Sequence, residues 1–325
     1  MTEVTRASHL IVDGLVVAEW SRELFEEMHR GGLSLANCTC SIWENFEGTM
    51  RKLGAYKQFL RDNDDLIMQV RTLADVERAR TSNRVGVVLG WQNTGGIEDR
   101  LEYLQLFHEL GVKVMQLTYN TQNWIASGCY ESRDSGLSDF GREAIDEMNR
   151  LGILIDLSHV GSKSAEDAIS YSKDPVCYTH VAPMALKQHP RNKTDEQLRS
   201  IIDHGGFVGV TGFPPFSPKG PAATIDDYVE QIDYVINLLG EENVGLGTDL
   251  AKNLTPELIQ YGIRDKGYAR QLTRFGEVVY PEGMRTCADY PNFYPIFEKR
   301  GWSSGRIEKF MGHNWMSFFA RVWKE

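Results

Sequence analysis

The stretch Ile153-Leu-Ile-Asp-Leu-Ser-His-Val160 decides the fold. It is a short apolar run between Gly152 and Gly161, which predicts a buried parallel strand. The run closes on Asp156, Ser158 and His159. Polar groups at the carboxyl end of such a strand are what an α/β barrel presents to a ligand. A second run, Pro175-Val-Cys-Tyr-Thr-His180, ends the same way. Two histidines at the same end of successive strands can meet over one metal ion, and imidazole suits zinc and similar borderline ions. On residue types alone a bland alternative stays open, in which each is a core histidine satisfied by one hydrogen bond.

Working outward, strand patterns precede this pair at residues 10–17, 33–40, 84–91 and 112–119, and follow it at 207–213 and 244–249. Helical spacing fills the intervals at 18–30, 42–60, 97–110, 138–151, 164–172, 194–204 and 225–239. Residues 66–71 add an accessory strand, followed by a helix to about Thr81. Eight alternations with short connections predict an α/β protein, a single (β/α)8 (TIM) barrel over residues 1–325. A doubly wound open sheet is disfavoured, because no glycine-rich phosphate loop follows the first strand. Two helices, near 291–299 and 303–323, are expected to close the chain from about 289, the second interrupted at Gly312. Residues 251–286 carry mixed signals and are expected to cover the barrel mouth as a loop with short helices. Polar loops at 120–136 and 181–193 are long enough to be functional.

The 325 residues carry a net charge of −10, which argues against nucleic acid and anionic membranes as partners. The five cysteines are odd in number and lack zinc-ribbon spacing, so free thiols in a reducing compartment are expected. The polar start Met1-Thr-Glu-Val-Thr-Arg-Ala-Ser-His9 has no apolar signal core, and no run reaches the length of a membrane span. These features predict a cytoplasmic protein.

Two histidines hold a metal weakly, so further ligands are needed. Asp249, at the end of the last strand, is the candidate acid to orient a metal-bound water and carry its proton; the alternative is a carboxylate capping the next loop. Asp156 sits three residues before His159 and faces the other side of the strand, which favours a structural duty or support of a metal ligand from behind. Arg191, in His189-Pro-Arg-Asn192, can pair with a substrate carboxylate, unless it is a solvated surface arginine. Tyr119 can donate to a developing oxyanion, unless its ring is only packing. Asn120 beside it is a candidate substrate contact, and Gln92, after the third strand, a weak candidate metal ligand.

The ordered set Asp156-Leu-Ser-His-Val160, Thr179-His180, Arg191-Asn192 and Gly245-Leu-Gly-Thr-Asp249 resembles the membrane (renal) dipeptidase family, metallopeptidase family M19 of the amidohydrolase-like barrels. Residues 110–120 are similar to that family's fourth-strand segment, and 309–319 to its C-terminal helix. The likeness covers nearly the whole chain and is nearer to a divergent bacterial branch. It implies a homodimeric metallohydrolase of dipeptides or related N-acyl compounds, with His159 and His180 on one metal, Arg191 on the substrate carboxylate and Asp249 activating water. The family's His-x-Asp metal pair falls on Leu15 and Val17, its bridging glutamate on Gln92 and its oxyanion-binding histidine on Tyr119. The expectation is therefore one zinc ion rather than two. A degenerate barrel that binds a small carboxylate, or runs a metal-free reaction, is the alternative.

Overall fold

The structure, a computed structural model, describes residues 9–252, 256–276 and 278–324. The polar N-terminus read as lacking a signal core therefore lies, up to Ser8, outside the described residues, as do 253–255 and 277 of the expected mouth cover. Ten strands form one sheet: β1 (Val12–Ala18), β2 (Leu35–Ser41), β3 (Ile67–Gln69), β4 (Val85–Trp91), β5 (Val112–Gln116), β6 (Leu154–Asp156), β7 (Cys177–Val181), β8 (Phe207–Val210), β9 (Val244–Leu246) and β10 (Leu250–Lys252). Eight of them run in parallel in the order β1-β2-β4-β5-β6-β7-β8-β9, and the pair Asp13–Leu246 joins β9 back to β1. Helices separate the strands. The chain is the expected (β/α)8 barrel, with β3 added outside along β4 and β10 continuing along β1 beyond the end of β9.

The barrel closes because its strands are apolar on both faces. Val12, Leu35, Val88, Val114, Leu154, Cys177 and Phe207, one from each of seven strands, fill the interior and belong to one buried cluster with Trp315 and Phe318. Trp315 comes from the last helix, Asn314–Val322, and its indole Nε1 donates to the carbonyl of Leu246 at 2.7 Å. Gly14 and Gly245 make room for it: a Cβ at either would stand 2.4 and 2.8 Å from the indole. The C-terminal helix thus plugs the end of the barrel opposite the site.

That helix is not broken at Gly312. Residues Lys309–His313 form one π-helical turn between Ser304–Glu308 and Asn314–Val322. The widened turn brings Gly312 against the Leu10 carbonyl, which would lie 2.4 Å from any Cβ there. Strand ends also differ from expectation. The fifth-strand pattern stops at Asp156, the fourth at Gln116, the seventh at Val210 and the eighth at Leu246. The physical reason is clearest at Asp156, whose carboxylate accepts from the Ser158 amide at 3.0 Å and turns the chain out of the ladder. His159, Tyr119, Asn120 and Asp249 therefore stand on loops just past the strand ends. Asp249 has φ +55°, a left-handed conformation that breaks β9 from β10.

The expected cover of the mouth is present as two short helices, Pro256–Gly262 and Ala269–Leu272, with irregular chain between. Among the described residues no helix is long and apolar enough to cross a membrane, and all five cysteines are free.

Candidate active site at the barrel mouth

Two aspartates tie the mouth together before any catalytic group is placed. Asp156 accepts from the amides of Ser158 and Thr179 (3.0 and 2.9 Å) and from both their hydroxyls (2.6 and 2.8 Å). Asp13 does the same across the barrel. It accepts from the amides of Leu15 and Thr248 (3.0 and 2.9 Å), from the Thr248 hydroxyl at 2.5 Å and from the Tyr290 hydroxyl. Burial pushes both carboxyls upward in pKa, while the donors around each act in the opposite direction. Asp156 thus holds the turn and, through the Thr179 hydroxyl, stands behind His180, as either reading of it expects. The matching role of Asp13 was missed, although its Asp-x-x turn after an apolar run was visible in the sequence.

With these turns fixed, the two histidines converge. His159 Nε2 and His180 Nε2 lie 3.1 Å apart, and both rings are buried. The other nitrogen of each ring is engaged: His159 Nδ1 lies 2.7 Å from Asn120 Oδ1, and His180 Nδ1 lies 2.7 Å from Thr179 Oγ1. Asn120 Oδ1 can only accept, and the Thr179 hydroxyl spends its proton on Asp156. Both Nδ1 atoms are therefore the protonated ones, and two bare Nε2 lone pairs face each other. Burial, with the charge of Arg191 nearby, holds both imidazoles well below their usual pKa, so they are neutral.

Two facing lone pairs repel unless a cation lies between them. Nitrogens about 2.0–2.1 Å from a tetrahedral ion would be roughly 3.3 Å apart, close to the spacing found. The donor set fits one borderline divalent ion. It does not fit two: Leu15 is buried, Val17 lines the cavity, and neither side chain can ligate. Among the described residues no third histidine, cysteine, aspartate or glutamate completes a protein-only metal cluster with the pair.

A cleft of about 800 Å³, its open mouth included, reaches His159, with the fully buried His180 behind it. Gln92, Tyr119, Asn120, His159 and Asp249 are among its polar lining; Val17, Ile42, Tyr130, Phe213, Phe216 and Phe275 are among the rest. Tyr119 stacks on His159, with ring centroids 4.2 Å apart and planes 22° from parallel. Gln92 donates its amide to the Thr39 hydroxyl at 2.8 Å. The structure thus brings together Gln92, Tyr119, Asn120, His159, His180 and Asp249. It also shows what residue types could not, that the cleft is walled by aromatic rings from loops far apart in sequence.

Arg191 is not a solvated surface residue. It is fully buried, and Nη2 donates to the His180 carbonyl at 2.8 Å. Its Nε and Nη1 have no hydrogen-bond partner, the Phe216 ring lies 5.5 Å from the guanidinium, and among the described residues no carboxylate forms an ion pair with it. An unpaired buried cation is costly, and a ligand anion is the usual way such a cost is offset. Asp249 receives no hydrogen bond on its carboxylate from the described residues. Burial, joined by the charges of Asp13 and Asp156 and opposed by Arg191, pushes it up to about 7. That gives a carboxyl able to exchange a proton near neutral pH.

Comparison with known proteins adds three findings. The model of the membrane dipeptidase family, peptidase family M19, matches residues 20–275. An uncharacterized dipeptidase of Schizosaccharomyces pombe is 32% identical over 253 residues, 76% of this chain and 54% of the relative, and a dipeptidase of Claviceps purpurea is 27% identical over 82% and 58%. This chain thus aligns with little more than half the length of either. The crystal structure of an amidohydrolase from Pseudomonas aeruginosa is 49% identical, with 98% of both chains aligned and a TM-score of 0.95.

Proposed function

Since this chain belongs to the membrane dipeptidase family, peptidase family M19, we propose that it hydrolyses the amide bond of a dipeptide or a related small N-acyl amino acid, using one zinc ion. The observation that carries the proposal is the pair of bare Nε2 atoms 3.1 Å apart, one of them on His159 in the cleft wall, with a buried guanidinium that no carboxylate pairs bonded to the His180 carbonyl. His159 and His180 hold the ion, which when bound supplies Lewis acidity and a more acidic water. Gln92 and water are the remaining candidate ligands.

The chain's own groups supply the rest. Arg191, behind the cleft wall, offers its unbonded Nη1 and its positive charge to the substrate carboxylate, and so sets which end of the substrate lies near the histidines. Asn120 lines the cleft and is the second candidate substrate contact. Asp249 takes the proton of the attacking water and passes it to the leaving amine, a two-way role for which a pKa of about 7 is suited. The Tyr119 hydroxyl, held by the ring's stacking on His159, donates to the oxyanion. Phe213, Phe216 and Phe275 exclude water and receive an apolar substrate side chain.

A second reading is a barrel that binds a small carboxylate without cleaving it. The predominantly apolar lining of the cleft favours it. A screen of dipeptides and N-acyl amino acids against zinc-loaded protein separates the two. Release of a free amino acid supports the hydrolase. Saturable binding of an N-acyl amino acid, with no product from any compound at full metal loading, supports the second reading instead.

A further inference from the structure

Asp265 belongs to the irregular chain between the two mouth-covering helices, yet it is only 2% exposed. Its Oδ2 accepts from Asn120 Nδ2 at 3.2 Å, while Oδ1 is buried without a partner. Asn120 is itself buried and turns its Oδ1 to His159 Nδ1 at 2.7 Å. A carboxylate, an amide and an imidazole therefore form one buried line that runs from the cover to the histidine pair.

The order of donors along this line matters. A primary amide can turn over, exchanging oxygen for nitrogen with little change in shape. Were Asn120 reversed, its NH2 would face His159 Nδ1, and the ring would have to carry its proton on Nε2, the atom that faces His180. An acceptor at the far side prevents this, because the reversed amide would set its oxygen against the carboxylate of Asp265. The Cys129 thiol also donates to Asn120 Oδ1, at 3.9 Å, a long and weak contact that favours the same orientation.

We infer that Asp265 is a positioning residue for His159: through Asn120 it fixes the tautomer that leaves Nε2 bare, and so supports metal retention by the histidine pair. The link to metal rests on the proposed zinc site; the tautomer does not. The cover is built to hold this contact. Arg270 Nε donates to the Asp265 carbonyl at 3.0 Å. On the other side of the mouth the Tyr261 hydroxyl donates to Glu44 Oε2 at 2.5 Å and accepts from the amides of Ile42 and Trp43 at 3.2 and 3.3 Å.

The test uses the full chain with Asp265→Ala, Asp265→Leu and Asp265→Asn. Leucine keeps the volume without an acceptor, and asparagine keeps an acceptor oxygen without the charge. Zinc affinity, measured by competition with a chromophoric chelator, is expected to fall about 10- to 100-fold in the first two. It should stay within about threefold of wild type in Asp265→Asn, as expected when the acceptor is kept. In metal-free protein, the ring 15N shifts of His159 are expected to show Nδ1–H in wild type and in Asp265→Asn, and a mixed tautomer in the other two. Unchanged affinity and unchanged 15N shifts in Asp265→Ala and Asp265→Leu overturn the inference. If the tautomer shifts as expected while even the wild type takes up no zinc, the positioning role stands and the zinc site falls.

Discussion

Replacing Asp249 with asparagine should make the metal-free protein more stable, and only where the carboxylate would be ionised. In the folded chain Asp249 is pushed from 3.8 up to about 7, with burial as the largest cause. The folded state therefore keeps this proton at pH values where the unfolded state has released it. Stability linked to Asp249 is fully present below about pH 4, declines as pH rises and is lost above about 7. At about 1.4 kcal/mol per pKa unit the ceiling is about 4 kcal/mol. Asp249 is partly exposed to the cleft, so water screens it, and about 2 kcal/mol is the working figure. With an unfolding entropy of roughly 2 cal/mol/K per residue, that corresponds to about 3 °C in a chain of this size. The assay is thermal unfolding of chelator-treated wild type and Asp249→Asn between pH 5 and 8. The variant's advantage should widen as pH rises and level off above 7. Added zinc should narrow it, because a nearby cation stabilises the carboxylate. A gap independent of pH, or a variant less stable than wild type at pH 8, refutes the reasoning.

Two other perturbations have expected outcomes. Arg191→Met should lower kcat/KM by about 30- to 1,000-fold, the kinetic equivalent of about 2–4 kcal/mol for a lost buried charge contact. It should also move the acidic limb of the pH–rate profile upward, because Arg191 is the charge that restrains the Asp249 pKa; an unmoved limb with unchanged KM places Arg191 outside the site. Trp315→Ala should cost about 3–5 kcal/mol through the cavity it leaves among the strands, read as a drop of about 4–7 °C in thermal midpoint. A smaller drop would mean that the C-terminal helix does not plug the barrel.

Legibility differed between the barrel and the site. Short runs such as residues 153–160 read as parallel strands because both faces are buried, and the strand-helix alternation then leaves few topologies. The sequence could not show where each ladder stops. That depends on side chains turning back on the backbone, as Asp156 does with the Ser158 amide. His159 and His180 were legible because they end adjacent strands, so topology alone places them side by side. Asp249 and Arg191 were legible mainly through resemblance, since the burial that makes each consequential comes from packing. Asp265 left no local signal. It lies in a segment of mixed pattern and reaches Asn120 across 145 residues of sequence. The aromatic wall was hidden for the same reason, with Tyr130, Phe213 and Phe275 drawn from three separate loops.

Metal stoichiometry tests the central claim most directly. Elemental analysis of the zinc-loaded, gel-filtered chain is expected to give one ion per chain, and none after either His159→Ala or His180→Ala. Two ions per chain would mean that ligands other than Leu15 and Val17 build a second position. No ion in wild type, or one that survives loss of both histidines, would contradict the account.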